Sequence, residues 1–404
     1  MKESNLPLKG VKCVCVIMFQ QVPVAFSMMA DLGAEVIKIE PPGTGERGRM
    51  LLLNPGDKFS PYFETNNRGL KDLTLDLKQE KGLEILYKLV KDADIFAENY
   101  RPGVAKRNHF SYEDIQKINP GIIYLSSSAY GPDGPNALLP GTDGVAQAAG
   151  GIASAYGEKG SHMMTGQVPV GDETSALVNF GALLVGLYNK KMTGKGQKIE
   201  TSLLGSMIRL MGYSMTRVAN SKKDIPRGRI RMSGGTDAYF TASFNDKNGK
   251  PFMIQIVGED SWKKGMEVAG FSKRLAEVGC AKLGEVADSA EKAGIFLKTM
   301  DEILATDTRE NWLKKLRACG IVCAPLNTLL EASTDPDVVA NNYVIEVDHP
   351  KVGKIIEVGF PWKFSGFTPK AGIAPELGEN NHEILHGLGY SEADIEQLKK
   401  DAVI

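Results

Sequence analysis

The clearest capacity for chemistry lies in Val170-Gly171-Asp172-Glu173, where a loop gives way to a long, apolar-striped segment. A carboxylate at a helix start can accept backbone N–H bonds, and the helix macrodipole favours its ionised form. In the ordinary reading Asp172 is therefore an N-cap. The same placement, with Gly171 leaving room for close approach, also describes an exposed carboxylate nucleophile. Other polar side chains gather where strands are expected to end: Gln20 and Gln21, Asn99-Tyr100-Arg101, and Thr142-Asp143. Lys106 and Arg107 follow Pro102-Gly103 within one turn. Cations at strand ends suit the phosphates of a nucleotide-like cofactor, although each taken singly reads as a solvated charge.

Several other chemistries lack their residues. The turn Phe19-Gln-Gln-Val-Pro23 has none of the glycines of a dinucleotide loop. Thr193-Gly-Lys-Gly196 lacks the spaced glycine and the hydroxyl residue of a P-loop and reads as a plain turn. His109, His162, His349, His382, His386 and the five cysteines fall into no zinc spacing, so no metal is expected. Cys319 and Cys323 read as a half-buried helix end. With 48 Lys plus Arg against 49 Asp plus Glu, the net charge of −1 argues against nucleic acid as a partner. No apolar run reaches the ~18 residues of a membrane span. The few cysteines and a polar start without a cleavage-site pattern predict a cytoplasmic protein.

The elements that must position these side chains follow from periodicity. Val11 to Met18 is β-branched and apolar, as in a strand buried on both faces, and a helix runs from Pro23 to Gly33. A strand over Glu35 to Glu40 completes a βαβ unit. The rhythm continues with a helix over Glu80 to Ala93 and strands at Asp94 to Glu98 and Gly121 to Leu125. This predicts an α/β fold, an open Rossmann-like parallel sheet with its ligand at the carboxyl ends of the strands. A long helix is expected from Asp172 to Lys191, then a strand at Lys198 to Thr201 and a helix from Ser202. Residues 221–235 read as a basic linker, before a hairpin of Tyr239 to Phe244 and Phe252 to Val257. The expected organisation is a large α/β domain over 1–220, a small α+β domain over 225–330, and a return to the large domain over 331–404. Ser391 with Asp394 caps the final helix.

Ala30-Asp-Leu-Gly-Ala-Glu-Val-Ile-Lys-Ile-Glu-Pro-Pro42, Asn67-Arg68, Leu73 to Lys78 and Ala93 to Gly103 together resemble the class III CoA-transferases. So do Gly171-Asp172, Thr193 to Gln197, Ala374 to Gly378 and Ile384 to Gly389. The resemblance implies an enzyme that moves CoA from an acyl-CoA to a free carboxylic acid, built as an interlocked homodimer. CoA and acyl-CoA would be substrates, with no tightly bound cofactor. It places the nucleophile on Asp172, with Gln20 and Asp143 at the reacting centre. Gln21, Leu75, Lys78, Asn99, Tyr100 and Arg101 would line the CoA site, Arg107 would pair with a CoA phosphate, and Gly234 and Gly235 would form a substrate loop.

The related α-methylacyl-CoA racemases share the Gly-Asp pair but need a second acid/base before the loop aspartate, where this chain has Thr142. Transfer is therefore favoured over the racemase-like alternative; a non-catalytic acyl-CoA-binding protein is a third reading. Formyl-CoA:oxalate members carry a longer glycine run than Ser233-Gly234-Gly235 and a basic residue where Pro41 stands. That argues against oxalate, and the shorter middle region is closer to the carnitine-type members. Arg227, Arg229 and Arg231 read first as solvated linker residues, second as contacts for a substrate carboxylate.

Overall fold

The computed structural model describes residues 6–53, 57–233, 239–287 and 289–404. They fall into two compact units, one of residues 1–154, 164–225 and 340–404, the other of 155–163 and 226–339. The larger is built from β1 (Lys12–Val16), α1 (Pro23–Asp31), β2 (Glu35–Glu40), α2 (Pro61–Asn67), β3 (Lys71–Thr74), α3 (Glu80–Lys91), β4 (Ile95–Glu98), α4 (Val104–Arg107), α5 (Tyr112–Ile118), β5 (Ile123–Ser128), α6 (Asp143–Ala149), α7 (Val170–Thr193), β6 (Gln197–Ser202) and α8 (Leu203–Ser221). Its six strands are parallel, in the order β3-β2-β1-β4-β5-β6. This is the order of doubly wound nucleotide-binding sheets, whose direction of growth reverses between β1 and β4.

The alternation of β1 decides what covers it. Cys13, Cys15 and Ile17 face a cluster with Phe26 of α1 and Phe180 and Leu183 of α7. Val14 and Val16 face the opposite cluster, with Leu86 of α3, Ile115 of α5, and Leu385 and Leu398 near the chain end. Helices Asn381–Gly387 and Glu392–Lys400 thus complete a core that the N-terminal residues begin. The last of these starts with the expected reciprocal cap, Ser391 Oγ accepting the Asp394 N–H and the Asp394 carboxylate accepting the Ser391 N–H.

Two elements depart from the sequence pattern. Strand β5 continues past Leu125 because Ser126 to Ser128 pair with Glu200 to Ser202 of β6; a serine run has weak strand propensity, and the ladder overrides it. β3 has four residues, too few for a periodic signal. The smaller unit holds an antiparallel sheet, β10-β9-β8-β7, of β7 (Ile230–Ser233), β8 (Tyr239–Asn245), β9 (Pro251–Val257) and β10 (Val322–Pro325). The segment read as a linker therefore contains a strand, because Ile230 and Met232 pair with Ala242 and Phe240 and pack on the aromatic core of this unit. In the larger unit, β11 (Val344–His349) and β12 (Gly353–Val358) form a separate hairpin. No helix among the described residues is long and apolar enough to cross a membrane.

Candidate active site

The reversal point puts the end of β1 beside the end of β4. Asn99 fastens the two: its Oδ1 accepts the Met18 N–H at 2.9 Å and its Nδ2 donates to the Met18 carbonyl at 2.7 Å. Gln21 is tied inward, its Oε1 accepting the hydroxyls of Ser127 at 3.0 Å and Ser175 at 3.2 Å. Gln20 points the other way, and its Nε2 donates to Glu173 Oε1 at 2.6 Å. Of the two buried glutamines, Gln20 is the one that reaches the carboxylates at the start of α7.

Helix α7 begins after Pro169, and Asp172 is its third residue. Asp172 is therefore not the N-cap that its sequence position predicts. Proline has no side-chain acceptor, and the orphan N–H groups are taken by Asp143 from α6. Its Oδ1 accepts Gly171 N–H at 2.7 Å and Asp172 N–H at 3.2 Å. A Cβ on Gly171 would lie 2.9 Å from that oxygen, so the glycine makes room for Asp143. Gln147, one turn on from Asp143, donates to Asp143 Oδ2 at 2.6 Å and to the Val168 carbonyl at 3.2 Å, and accepts Gly166 N–H at 2.7 Å. It holds both the cap and the loop that leads into α7. Among the described residues the Asp172 carboxylate itself has no hydrogen-bond partner.

This setting also corrects the expectation that the macrodipole keeps Asp172 ionised. Burial, then the charges of Asp143 and Glu173, push its carboxyl up from 3.8 to about 7. A helix end contributes the opposite sign but less than burial beside two like charges. Tyr62 on α2 belongs to the same neighbourhood: burial first, then Asp172, Glu46 and Glu173, raise its phenol well above the usual range. Sequence reading missed Tyr62, Gln147 and Glu173. Only the i, i+4 spacing of Asp143 and Gln147 on one helix offered a signal.

The remaining expected residues spread along the carboxyl edge. Arg101, with Lys106 and Lys198, lines an open cavity of about 190 Å³ at the ends of β4, β5 and β6, walled by Tyr112, Tyr124 and Ser126. Tyr100 is half-buried against Phe110, ring centroids 6.0 Å apart. Leu75 is buried, whereas Lys78 and Arg107 are exposed and neither lines that cavity. The structure thus brings Gln20 and Asp143 to Asp172 and Asn99 to the β1 end, and it leaves Lys78 two strands away beyond β3. Gly234 and Gly235 lie outside the described residues. In the smaller unit Arg227 donates to the carbonyls of Tyr156 at 2.8 Å and Ser161 at 2.7 Å, and Arg229 pairs with Asp301 at 2.8 Å. No cluster of ligands able to hold a metal ion occurs among the described residues.

The sheet is Rossmann-ordered and gathers carboxylates at its switch-point edge, and comparison with known proteins identifies the family. Residues 8–381 match the model of CoA-transferase family III, and the chain belongs to that family. It is a CoA-transferase, with CoA as a substrate. Over 99% of its length it is 28% identical to the whole of a formyl-CoA:oxalate CoA-transferase of Escherichia coli. A CAIB/BAIF family protein from Brucella suis has the same fold, with a TM-score of 0.83 and 26% identity over 95% of this chain and 100% of that one. A hypothetical protein from Mycobacterium tuberculosis shares the fold at a TM-score of 0.80 and 23% identity, covering 94% of this chain and 99% of that one.

Proposed function

We propose that this enzyme moves CoA from an acyl-CoA donor to a free carboxylic acid whose far end carries no second negative charge, with Asp172 as the covalent nucleophile. The observation that carries the reading is a half-buried carboxylate without a hydrogen-bond partner, held between Asp143 and the Gln20–Glu173 pair at the switch-point edge. Its oxygen attacks the donor thioester carbonyl; the C–S bond breaks, giving an acyl-aspartyl anhydride and CoA thiolate. The thiolate attacks the aspartyl carbonyl and expels the donor acid, leaving an aspartyl-CoA thioester. The acceptor carboxylate displaces the thiolate as a second mixed anhydride, and the thiolate takes the acceptor's acyl group and frees Asp172. Each step conserves an activated carbonyl as long as water is excluded.

Acceptor selection follows from charge. The two charges that perturb Asp172 are both negative. The cations Lys38 and Arg49 are taken up by Glu40 with Glu46 or Asp72. Like charges about 4 Å apart near a protein surface repel by about 4 kcal/mol, so a dicarboxylate is disfavoured. Arg101 with Lys106 supplies positive charge for CoA phosphates, assisted by Lys78 and Arg107, while Gln21, Leu75, Asn99 and Tyr100 shape the lining. The large exposed apolar residues Leu177, Val185, Tyr188 and Met192 on α7 and Tyr213 on α8 suit burial in an interlocked homodimer. The enzyme works in the cytoplasm, without a tightly bound cofactor.

A donor-by-acceptor screen of thioester exchange tests this reading, using oxalate, longer dicarboxylates, unbranched monoacids and a C4 betaine. Exchange to monoacids or the betaine, with Asp172→Asn inactive, is expected. Full exchange in Asp172→Asn would contradict the nucleophile, and preferred transfer to oxalate would contradict the charge selection.

A further inference from the structure

Phe19 is the second residue before Gln21 in the turn after β1, and it is a non-glycine residue with φ 65°. That left-handed conformation costs a side-chain-bearing residue free energy, and such outliers persist only where surrounding bonds hold them. The ring does not supply the holding contact, since Phe19 is 37% exposed. The bond that does is on the backbone: Phe19 N–H donates to Glu46 Oε2 at 2.7 Å. Glu46 is buried, and its other oxygen takes Lys38 Nζ at 2.5 Å. Lys38 Nζ also donates to Asn67 Oδ1 at 2.6 Å and lies 3.7 Å from Glu40, which fixes the ammonium in place, so the Glu46 carboxylate cannot swing away from the turn without giving up the shortest contact of a buried ion pair.

On either side of Phe19 the chain is fixed by different partners. Asn99 holds both backbone groups of Met18. Beyond Phe19, the Gln20 carbonyl accepts Val24 N–H at 3.0 Å, and the Gln20 side chain reaches Glu173, next to Asp172. The torsion at Phe19 therefore sets the direction in which Gln20 leaves the strand. Glu46 also accepts the Gly48 N–H at 3.3 Å, a local cap that accounts for one of its bonds but not for the shorter one across to Phe19.

The geometry points to Glu46 as a positioning residue for the transfer reaction, which clamps Phe19 in the left-handed conformation and so aims Gln20 at the carboxylates beginning α7. This rests on the reading that Asp172 and Gln20 face the reacting groups. Glycine adopts φ 65° without the clamp, whereas alanine does not. The prediction is thus a rescue that depends on the backbone alone.

Two double variants of the full-length enzyme decide it, Glu46→Ala/Phe19→Gly and Glu46→Ala/Phe19→Ala, compared by kcat, by KM for the acyl-CoA and by the single-turnover rate of adduct formation on Asp172. The glycine double is expected to exceed the alanine double by about tenfold in kcat and in the adduct rate, with KM changed less than about threefold. Both lack Glu46, so a general packing loss affects them alike, and thermal unfolding of each records that loss separately. Equal rates in the two doubles, or a difference confined to KM, would overturn the assignment. Asp172→Asn is measured alongside: if it still turns over, the underlying reading fails, whereas its inactivity together with equal doubles removes only the role of Glu46.

Discussion

The larger unit holds two groups of crowded carboxylates, and they are solved in opposite ways. Beneath the sheet edge, Glu40 is met by both Arg49 Nε and Nη2 at 2.9 Å, with Lys38 3.7 Å away, and Asp72 shares Arg49 at 3.4 Å. Burial pushes Glu40 upward, but Lys38 and the Arg49 hydrogen bonds outweigh it and hold the carboxyl below its ordinary value. Asp72, facing Glu40 across the same guanidinium, is driven up by burial and then by that neighbour's charge. At the start of α7, by contrast, Asp143 and Glu173 flank Asp172 and neither neighbour is a cation. Paired buried acids specify structure, since each carboxylate oxygen of Glu40 and Asp72 has a donor. A carboxylate left among like charges stores the electrostatic free energy that forming a neutral ester or thioester relieves.

The most severe break of this contrast is Asp172→Asn. Transfer is expected to fall by at least about 10⁴-fold, as when a covalent nucleophile is removed, measured as steady-state thioester exchange. The same change should stabilise the fold at high pH. A carboxyl raised from 3.8 to about 7 binds its proton more tightly in the native state, so wild-type stability declines as pH rises between those values. At ~1.36 kcal/mol per pH unit the Asn variant gains up to about 4 kcal/mol above pH 7 and nothing below pH 4, as read by denaturant unfolding. Equal stabilities at pH 8 would contradict the unpaired state of Asp172.

Glu40→Ala tests the opposite group. Removing Glu40 takes one carboxylate from Arg49, which keeps Asp72, and from Lys38, which keeps Glu46, so a loss of about 1–3 kcal/mol in unfolding free energy is expected; kcat should fall far less than in Asp172→Asn, although Glu40 also accepts the Glu46 N–H at 2.7 Å. Gly171→Ala should cost about 1–3 kcal/mol and lower the transfer rate, because its Cβ displaces the Asp143 carboxylate. The mildest change is Asp143→Asn, which retains an acceptor for the Gly171 and Asp172 N–H groups. Its amide NH2 then faces the Gln147 Nε2 donor, so stability should fall by about 1 kcal/mol, while loss of one negative charge moves the ionisation of Asp172 to lower pH.

Much of the frame was legible in the sequence because each feature is local or periodic. The run Lys12–Val16, the strand Glu35–Glu40 stopped by two prolines, and the Ser391–Asp394 cap need only their own neighbourhood. Asp172 was legible as a carboxylate at a loop-to-helix junction, but its environment was not. Whether it caps the helix depends on Asp143, 29 residues earlier, and on Pro169 taking the cap position. Likewise Gln20 reads as one of two equivalent glutamines until β1 and β4 are adjacent and Glu173 comes within 2.6 Å. The shift in Asp172 is only partly local: one charge belongs to its sequence neighbour Glu173, but the burial and the charge of Asp143 are delivered by other elements.

The central claim is that Asp172 is a nucleophile whose ionisation is held back by its surroundings. Its most direct measurement is the pH dependence of covalent adduct formation, by rapid quench and intact mass analysis with a saturating acyl-CoA, in the wild type and in Asp143→Asn. Only the carboxylate attacks, so the rate should rise with pH through a midpoint near 7 and level above it. In Asp143→Asn the midpoint should move down, with the adduct mapping to Asp172 in both proteins. A midpoint near 4 that the substitution leaves unmoved, or an adduct on any other residue, would contradict it.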